Sequence, residues 1–440
     1  MKRMIYEDLL EWKNRSDRMP LLLEGVRQCG KTYILKEFGE KNYKNTAYFN
    51  FEKNPDLCDI FQPDLEPKRI IANLSLILGR SIEPESTLVI FDEIQSCGRA
   101  ITSLKYFCEE APEYHIACAG SLLGVLLSKP NSFPVGKVNR LKMGPMCFKE
   151  FLLANSEEML VEYIDRNDPT ERLSEPLENK LKTYLDYYFI VGGMPAATAA
   201  WVQNKDIKKV ETKLDEIIED FKDSFAKHAL ESLTKLTMIW ESIPIQLARD
   251  NKKFIFGHVK TGARSKDLEG ALEWIIDAGL VHKIENVDPP KTPLSIYADP
   301  TSFKIYMVDI GILRRMAGLP SDFLFTKNKD AEIFRGMIAE NFVLNELIAS
   351  TSVVPYYWKS NGIAEVDFIM QIGMEVIPVE VKAGNNVASK SLSEYIKKYS
   401  PSNAVIASKV SGKNGIVHYI PLYVIWRISN CFKGSALVGI

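Results

Sequence analysis

Eight consecutive residues near the N-terminus have the types and spacing that bind the phosphates of a nucleotide. They fit the pattern G-x-x-x-x-G-K-[ST] and read Gly25-Val26-Arg27-Gln28-Cys29-Gly30-Lys31-Thr32. Glycines let backbone N–H groups wrap a phosphate, and the N-terminus of a following helix adds positive potential. We expect Lys31 to reach the β- and γ-phosphates and Thr32 to offer its hydroxyl to Mg²⁺. The loop therefore predicts a site for ATP with Mg²⁺.

Two adjacent carboxylates end an apolar run further along the chain, Leu88-Val89-Ile90-Phe91-Asp92-Glu93. At the C-terminal end of a buried strand, Asp92 is placed to hold Mg²⁺ through water, and Glu93 to orient or deprotonate the attacking water. A kinase that transfers phosphate to a bound acceptor does not need a water-activating glutamate, so the pair favours hydrolysis. A strand ending in Asp-Glu is also a common solvated strand end, so the prediction depends on the upstream loop.

A third apolar run, His115–Gly120, ends at Ser121. In ATPases built this way a polar residue at that place senses the γ-phosphate. Ser121 could equally cap a following helix, and both roles can hold together. We therefore add Ser121 to the predicted ATP-binding residues.

The elements around these motifs alternate between strand and helix in the first third of the chain. Apolar runs predict strands, and 3.6-residue periodicity predicts helices between them. The predicted strands are Pro20–Glu24, Thr46–Phe51, Leu88–Asp92 and His115–Gly120, and the predicted helices are Lys31–Phe38, Lys68–Leu78 and Thr102–Glu110. Alternation at this spacing indicates an α/β fold with a parallel sheet covered on both faces.

Two shifts in composition divide the rest of the chain. We predict a P-loop domain over residues 1–153, a helical middle over 154–300, and a C-terminal α/β domain over 301–440. The middle contains a winged-helix-like module, Phe254–Ile284, with a helix at Ser265–Asp277. The last part has a helix at Ala331–Ala349 and β-rich runs at Val353–Trp358, Glu365–Met370 and Val376–Lys382.

The ordered combination of motifs resembles a large prokaryotic family of AAA-type ATPases that carry a C-terminal domain of unassigned function. The resemblance covers nearly the whole chain and implies that parts of the C-terminal domain look like a restriction-endonuclease fold. It is carried by the loop Gly25–Thr32, Phe91-Asp92-Glu93-Ile94-Gln95, Ala119-Gly120-Ser121, Gly192-Gly193-Met194-Pro195, Lys304-Ile305-Tyr306-Met307-Val308-Asp309 and Ala364-Glu365-Val366-Asp367-Phe368.

One departure from the family concerns an arginine finger, an arginine that contacts phosphate between subunits. Members often place a Gly-Arg pair before a Pro-x-[SC]-Phe segment, and here Gly136-Lys137 precedes Pro145-Met146-Cys147-Phe148. Lysine lacks the planar fork of arginine, so the role is not transferred to Lys137. Arg140 lies nearby, but we assign it no such role.

Four C-terminal residues form a constellation that resembles the PD-(D/E)xK nucleases. Glu340 lies on a predicted helix, Asp367 on a β-run, and Glu380 and Lys382 on the next β-run. Such chemistry needs carboxylates around Mg²⁺, for which Asp367 and Glu380 are the candidates, and a lysine that stabilises or activates the attacking hydroxide. An ordinary amphipathic strand with an outward ion pair explains Glu380 and Lys382 equally well.

Composition limits the partners and the compartment. The net charge of −2 argues against global attraction to nucleic acid, and the seven cysteines include no Cys-x-x-Cys pair. Apolar stretches are too short to cross a membrane, so we expect a cytoplasmic protein. A recognition helix at Arg264–Gly279 is disfavoured because its carboxylates repel phosphates. DNA, a protein partner and self-association all stay open.

Two functions therefore remain. In the first, ATP hydrolysis drives a DNA-processing enzyme that cuts through Glu340, Asp367, Glu380 and Lys382. In the second, ATP controls a switch or interaction protein whose nuclease-like domain is catalytically silent.

Overall fold

The computed structural model describes residues 1–120, 136–229, 232–249, 251–323, 329–360, 362, 364–384 and 387–432. The chain forms two compact units. The first contains Met1–Pro145 with Asp277–Leu280, and the second contains Met146–Ile276 with Val281–Ile440. Ser121 lies outside the described residues. The division at residues 153 and 300 stays a prediction.

A five-stranded parallel sheet is the centre of the first unit, as the strand and helix alternation predicts. Its order is β2-β3-β4-β1-β5. The strands are β1 (Leu21–Glu24), β2 (Asn45–Asn50), β3 (Thr87–Asp92), β4 (His115–Ala119) and β5 (Asn139–Lys142). Of these five strands, β5 is the one that the sequence analysis does not predict. It is a polar edge strand whose residues are all at least partly exposed, so it carries no apolar signal.

Among the described residues of this unit, four α-helices accompany the sheet, and their ends follow from local sequence. The helices are α1 (Ile5–Asn14), α2 (Lys31–Asn42), α3 (Pro67–Leu78) and α4 (Gly98–Glu110), with 3-10 helices at Pro55–Phe61 and Ile94–Ser96. Proline begins α3, where its missing N–H costs no hydrogen bond, and Gly79 ends it at a φ of 70°. The core under β3 contains mutually edge-on rings of Phe51, Phe61 and Phe91.

The strand order decides which motifs meet. Strand β4 lies between β1 and β3 and is parallel to both. The loop after β1 and the carboxylates at the end of β3 therefore lie at the same edge of the sheet. Clefts at the carboxyl ends of parallel strands are where α/β proteins bind ligands.

Helices make up the first part of the chain beyond residue 145. They are α5 (Phe148–Ala154), α6 (Glu158–Arg166), α7 (Glu175–Val191), α8 (Pro195–Asn204), α9 (Ile207–His228), α10 (Leu233–Leu247), α11 (Phe256–Val259) and α12 (Ser265–Asp277). The helix predicted at Ser265–Asp277 is confirmed. Helices α13 (Ile310–Met316), α14 (Lys329–Thr351) and α15 (Lys390–Tyr399) follow, with 3-10 helices at Leu294–Tyr297 and Leu422–Phe432.

The second unit is built around a mixed sheet of eight strands in the order β12-β13-β11-β10-β9-β8-β6-β7. The strands are β6 (Val281–Val287), β7 (Ala298–Met307), β8 (Tyr356–Lys359), β9 (Glu365–Ile372), β10 (Glu375–Val381), β11 (Ala404–Ser408), β12 (Gly412–Asn414) and β13 (Val417–Pro421). The boundary predicted at residue 300 falls within β7. Strand β10 is antiparallel to β9 and parallel to β11.

Two of the segments that carry the family resemblance, residues 192–195 and 304–309, pack closely against each other in this unit. The Asp309 carboxylate accepts hydrogen bonds from the backbone N–H of Gly193 at 2.6 Å and of Ile312 at 2.9 Å, where it caps α13. A Cβ on Gly193 would lie 2.0 Å from the Met146 carbonyl oxygen, and one on Gly192 would lie 2.5 Å from the Asp309 carboxylate. Packing between main-chain segments therefore explains the paired glycines and Asp309.

Candidate nucleotide and carboxylate sites

The loop between β1 and α2 adopts a conformation that depends on glycine. Gly25, Gln28 and Gly30 have φ values of 148°, 65° and 97°. A Cβ on Gly25 would lie 2.0 Å from the Met143 carbonyl oxygen, so no larger residue fits there. The loop leads directly into the N-terminus of the 12-residue helix α2. It has the shape and the polarity of a phosphate cradle.

Lys31 is a buried cation beside this loop, and only 7% of its surface is exposed. Its ammonium donates hydrogen bonds to the carbonyl oxygens of Gly25 at 2.7 Å and Val26 at 2.8 Å. Within the described part of the chain, Lys31 forms no ion pair with a carboxylate. A buried ammonium costs free energy unless an anion compensates it, so this site fits a phosphate.

Thr32 and Asp92 meet at the carboxyl edge of the sheet. The Thr32 hydroxyl lies 3.0 Å and 3.2 Å from the two Asp92 oxygens. Asp92 is 3% exposed. A hydroxyl and a carboxylate are hard oxygen donors of the kind that Mg²⁺ prefers, so the pair fits a magnesium ion that accompanies ATP.

Two residues of β2 that sequence reasoning missed complete the surroundings of Asp92. The Tyr48 hydroxyl donates to Asp92 at 2.6 Å, and the Asn50 amide donates to it at 3.1 Å. Burial and the hydrogen bond to Asp92 raise the pKa of Tyr48 to about 12. Polar residues two apart at the end of a strand share a face, which was the available signal.

Glu93 follows Asp92 in a left-handed backbone conformation, with φ 49° and ψ 44°. Such a conformation is unfavourable for a non-glycine residue and is often found at functional sites. The side-chain amide of Gln95 donates a hydrogen bond to the Glu93 carboxylate. Gln95, which had no predicted role, therefore orients the carboxylate expected to act on the attacking water.

Arg3 lies outside the motif and stabilises the nucleotide-binding loop by hydrogen bonds. Its guanidinium donates to the carbonyl oxygens of Cys29 at 2.8 Å and Gly144 at 2.7 Å. The two finger candidates are paired within the chain, Lys137 with Glu109 at 2.9 Å and Arg140 with Glu24 at 2.8 Å.

The C-terminal candidates gather in the second unit, and Glu340 on α14 is the most heavily paired of them. One of its oxygens accepts a hydrogen bond from the Tyr306 hydroxyl and lies 3.6 Å from the Lys304 ammonium. The other oxygen accepts from the ammonium of Lys252. Burial opposes ionisation, but Lys252 and Lys304 outweigh it and lower the pKa of Glu340 to about 2.

Asp367 and Glu380 lie on neighbouring antiparallel strands, just past the paired residues Phe368 and Val379. The Asp367 carboxylate accepts from the Val381 N–H at 2.8 Å. Burial raises the pKa of Asp367 well above its ordinary value, and the charges of Glu340 and Glu380 add to the effect. The charges of Glu340 and Glu380 therefore act on Asp367 and oppose its ionisation.

Glu380 is 4% exposed, and one of its two carboxylate oxygens accepts hydrogen bonds. That oxygen accepts from the Lys382 ammonium at 2.7 Å and from the Ser389 hydroxyl at 2.9 Å. The other oxygen is buried and has no hydrogen-bond partner among the described residues. Over the same residues, no group of three or more His, Cys, Asp or Glu side chains is arranged to hold a metal ion.

Comparison with known proteins identifies the class of protein domain to which the N-terminal unit belongs. Residues 17–152 match the family model of an AAA domain. With the parallel sheet and the loop geometry, this unit is an AAA-type P-loop ATPase domain, and the match supports nucleotide binding and hydrolysis. Residues 182–322 match one domain of unknown function, DUF8612, and residues 335–423 match another, DUF4143. The AAA part of the resemblance is confirmed, and the endonuclease-like part stays a prediction.

Similarity to solved structures is distant. The Thermotoga maritima RuvB Holliday junction branch migration motor has 14% identity and a TM-score of 0.31, covering 64% of this chain and 89% of that one. AMPPCP-bound DnaA from Aquifex aeolicus has 12% identity and a TM-score of 0.29, covering 62% and 87%. The Aeropyrum pernix Orc1 protein in complex with DNA has 12% identity and a TM-score of 0.28, covering 71% and 90%.

No curated protein matches the sequence. Among the described residues, none of the helices combines the length and the apolar character needed to cross a bilayer.

Proposed function

We propose that the protein binds and hydrolyses ATP with Mg²⁺ in its first unit, and that the nucleotide cycle controls a nuclease-like second unit that acts on DNA. The observation that carries the ATPase part is the buried Lys31 ammonium. Its acceptors in the described chain are two backbone carbonyls and, at 3.9 Å, the Cys29 sulfur, and they lie beside the Thr32–Asp92 pair. That arrangement fits a phosphate accompanied by a magnesium ion.

Each residue of the nucleotide site has its own role in hydrolysis. The loop N–H groups and Lys31 would bind the phosphates, and Thr32 and Asp92 would hold Mg²⁺, which would neutralise charge on the phosphoryl group. Glu93, oriented by Gln95, positions the attacking water and accepts its proton. Ser121 stays a proposed γ-phosphate contact.

The test is ATP hydrolysis by the purified protein beside Lys31→Ala and Glu93→Gln. We expect Lys31→Ala to lose ATP binding, and Glu93→Gln to bind ATP but hydrolyse it at least about 100-fold more slowly. Lys41→Ala is the matched control, because Lys41 lies on the same helix in an exposed ion pair with Glu37. Undiminished hydrolysis in both site variants would refute the ATPase assignment.

The second unit supports a metal-dependent site that cuts phosphodiester bonds. Glu340, Asp367 and Glu380 are the carboxylates that would hold the cation, and Lys382 would stabilise the attacking hydroxide. The raised pKa of Asp367 and the unpartnered Glu380 oxygen support the proposal, because a cation beside them would offset both. Cleavage of double- and single-stranded DNA in Mg²⁺ or Mn²⁺ tests it, with Asp367→Asn expected to abolish cutting.

A specific observation favours a second function, in which the unit is a silent, ATP-controlled interaction module. Both oxygens of Glu340 are already occupied, by Lys252 on one side and by Tyr306 and Lys304 on the other. ATP hydrolysis that is indifferent to DNA, together with no cleavage in either metal, would establish this alternative.

A further inference from the structure

Two cysteines that are distant in sequence lie together in the first unit. The Cys58 sulfur lies 3.9 Å from the carbonyl oxygen of Ser96, the residue that precedes Cys97. Cys97 is 4% exposed and belongs to the apolar core, and Cys58 packs against that core. The two thiols also form a hydrogen bond with each other. Two thiols in contact on separate segments are the arrangement from which a disulfide can form.

The two sulfurs differ in how far solvent reaches them. Cys58 is partly exposed and lies on the 3-10 helix Pro55–Phe61, directly after the exposed residues 52–56. Burial raises the pKa of Cys97 to about 12, and the hydrogen bond with Cys58 adds to the effect. Because the thiolate is the form that attacks an oxidant, Cys97 is unreactive by itself. Cys58 is therefore the sulfur that an oxidant reaches first.

Cys97 belongs to the same short turn as the carboxylate expected to act on the attacking water. The N–H of Ser96 donates to the Glu93 carbonyl oxygen at 3.0 Å, and the N–H of Cys97 donates to the Ile94 carbonyl oxygen at 2.9 Å. The Gln95 side chain, from the same turn, donates to the Glu93 carboxylate. A displacement of Cys97 would therefore be passed to Glu93 through this hydrogen-bonded turn.

We propose that Cys58 and Cys97 are a thiol pair that a peroxide converts into a reversible disulfide, and that this disulfide switches off ATP hydrolysis. The switch rests on the proposed role of Glu93. The Cys58 thiolate attacks one peroxide oxygen, the O–O bond breaks, and Cys58 becomes a sulfenic acid as water leaves. The Cys97 sulfur then attacks the Cys58 sulfur, the S–O bond breaks, and the Cys97 proton leaves with the hydroxyl as a second water. The two thiols lose two electrons and two protons, and hydrogen peroxide is reduced to two waters.

The disulfide would alter the turn because a covalent S–S bond, at about 2.05 Å, is much shorter than any contact between separate thiols. One of the two segments must move to form it. The segment that contains Cys58 is held in place, since the Phe61 carbonyl oxygen accepts a hydrogen bond from the Arg99 guanidinium at 2.6 Å. Part of the movement therefore falls on the turn that ends at Cys97, and it shifts Glu93 from the position in which it meets the attacking water.

The test treats the full-length protein with hydrogen peroxide and measures both the disulfide and ATP hydrolysis. Peptide mass spectrometry without reduction should find the Cys58 and Cys97 peptides joined and two hydrogens lighter than their sum. Hydrolysis should fall at least about 10-fold, since a 1 Å misplacement of a catalytic group can cost more than that, and dithiothreitol should restore it. Cys58→Ser, a change at a partly exposed position, should hydrolyse ATP normally and keep its activity in peroxide.

Two further variants separate this pair from other thiols. Cys97→Ala should also keep its activity in peroxide, and its Cys58 should be captured by dimedone, which reacts with sulfenic acids. Cys108→Ser is the matched control, because Cys108 is a partly exposed cysteine on α4 of the same unit. Its hydrolysis should fall in peroxide as that of the wild type does.

Each contrary result has a distinct meaning. Peroxide treatment that leaves Cys58 and Cys97 unjoined would overturn the thiol pair, and a joined pair with full hydrolysis would overturn the switch. Loss of hydrolysis that persists in both Cys58→Ser and Cys97→Ala would assign the effect to another thiol and overturn the proposal. A fully reduced wild type that does not hydrolyse ATP would refute the proposed function and the switch together, while mass spectrometry would still decide whether the disulfide forms.

Discussion

The Thr32 hydroxyl donates to the Asp92 carboxylate at 3.0 Å across 60 residues of chain. Thr32 lies in the first turn of α2 and Asp92 ends β3, so this contact joins the phosphate loop to the strand with the two carboxylates. A partly buried hydroxyl–carboxylate pair of this kind offers oxygen atoms that would serve as ligands for Mg²⁺.

We expect Asp92→Asn to remove the magnesium dependence of ATP binding. The amide keeps the shape of the side chain but loses the charge that attracts the ion, so hydrolysis should fall by about 100-fold or more. ATP binding with and without Mg²⁺ measures the first effect, and steady-state hydrolysis the second. Asp64→Asn is the control, since Asp64 pairs with Arg69 on the surface of the same unit. A variant that keeps the wild-type response to Mg²⁺ would contradict the assignment.

Tyr48→Phe tests the part of the site that lies on β2. The change removes the 2.6 Å hydrogen bond to buried Asp92 and keeps the ring over which the Lys36 ammonium lies at 3.5 Å. A hydrogen bond to a charged group contributes about 1.5–3 kcal/mol, so the unfolding free energy of the first unit should fall by that order. Denaturant unfolding measures it. An unchanged unfolding midpoint would mean that the hydrogen bonds from Thr32 and Asn50 are enough to stabilise the buried Asp92 carboxylate.

Glu346 should make the stability of the second unit depend on pH. Its side chain is buried and accepts from the Phe148 N–H at 2.7 Å, and burial raises its pKa to about 8. The folded state thus holds a proton that the unfolded chain releases near its ordinary pKa of 4.5. The stabilisation is complete below that ordinary value and is lost as pH rises toward 8, by up to a few kcal/mol.

Glu346→Gln should flatten this dependence and stabilise the protein at pH 8, because the amide is neutral throughout. Thermal unfolding at several pH values between 5 and 8 measures the slope. Glu162→Gln, which alters an exposed carboxylate paired with Arg166, should leave the slope as it is. If Glu346→Gln unfolds with the wild-type pH dependence, Glu346 is ionised in the folded protein.

Gly193→Ala should destabilise the second unit strongly. The new Cβ would lie 2.0 Å from the Met146 carbonyl oxygen, and both partners are main chain that cannot move aside easily. Overpacking of this kind costs about 1–3 kcal/mol or more. Gly270→Ala is the matched change, because a Cβ there meets nothing within 4 Å in the exposed part of α12. That variant should be more stable by about 0.5–1 kcal/mol, and equal effects of the two changes on the unfolding midpoint would refute the packing account.

The sequence alone was enough to predict the parallel sheet of the first unit, the loop Gly25–Thr32 and the carboxylates Asp92 and Glu93. These features are local, since apolar runs, glycine spacing and a strand end show in consecutive residues. The edge strand β5 was missed because Asn139–Lys142 has no apolar pattern. Ser121 and the active role of Glu340, Asp367, Glu380 and Lys382 stay predictions.

Only the tertiary structure decided which distant residues became neighbours. Tyr48 reaches Asp92 because β2 lies beside β3, and Lys252 and Lys304 reach Glu340 because a short segment and β7 meet α14. Periodicity shows which face of an element is buried, but it does not show which other element covers that face. The partners of a buried charge come from those other elements, and they decide whether a carboxylate is open to a metal ion or already neutralised by a lysine.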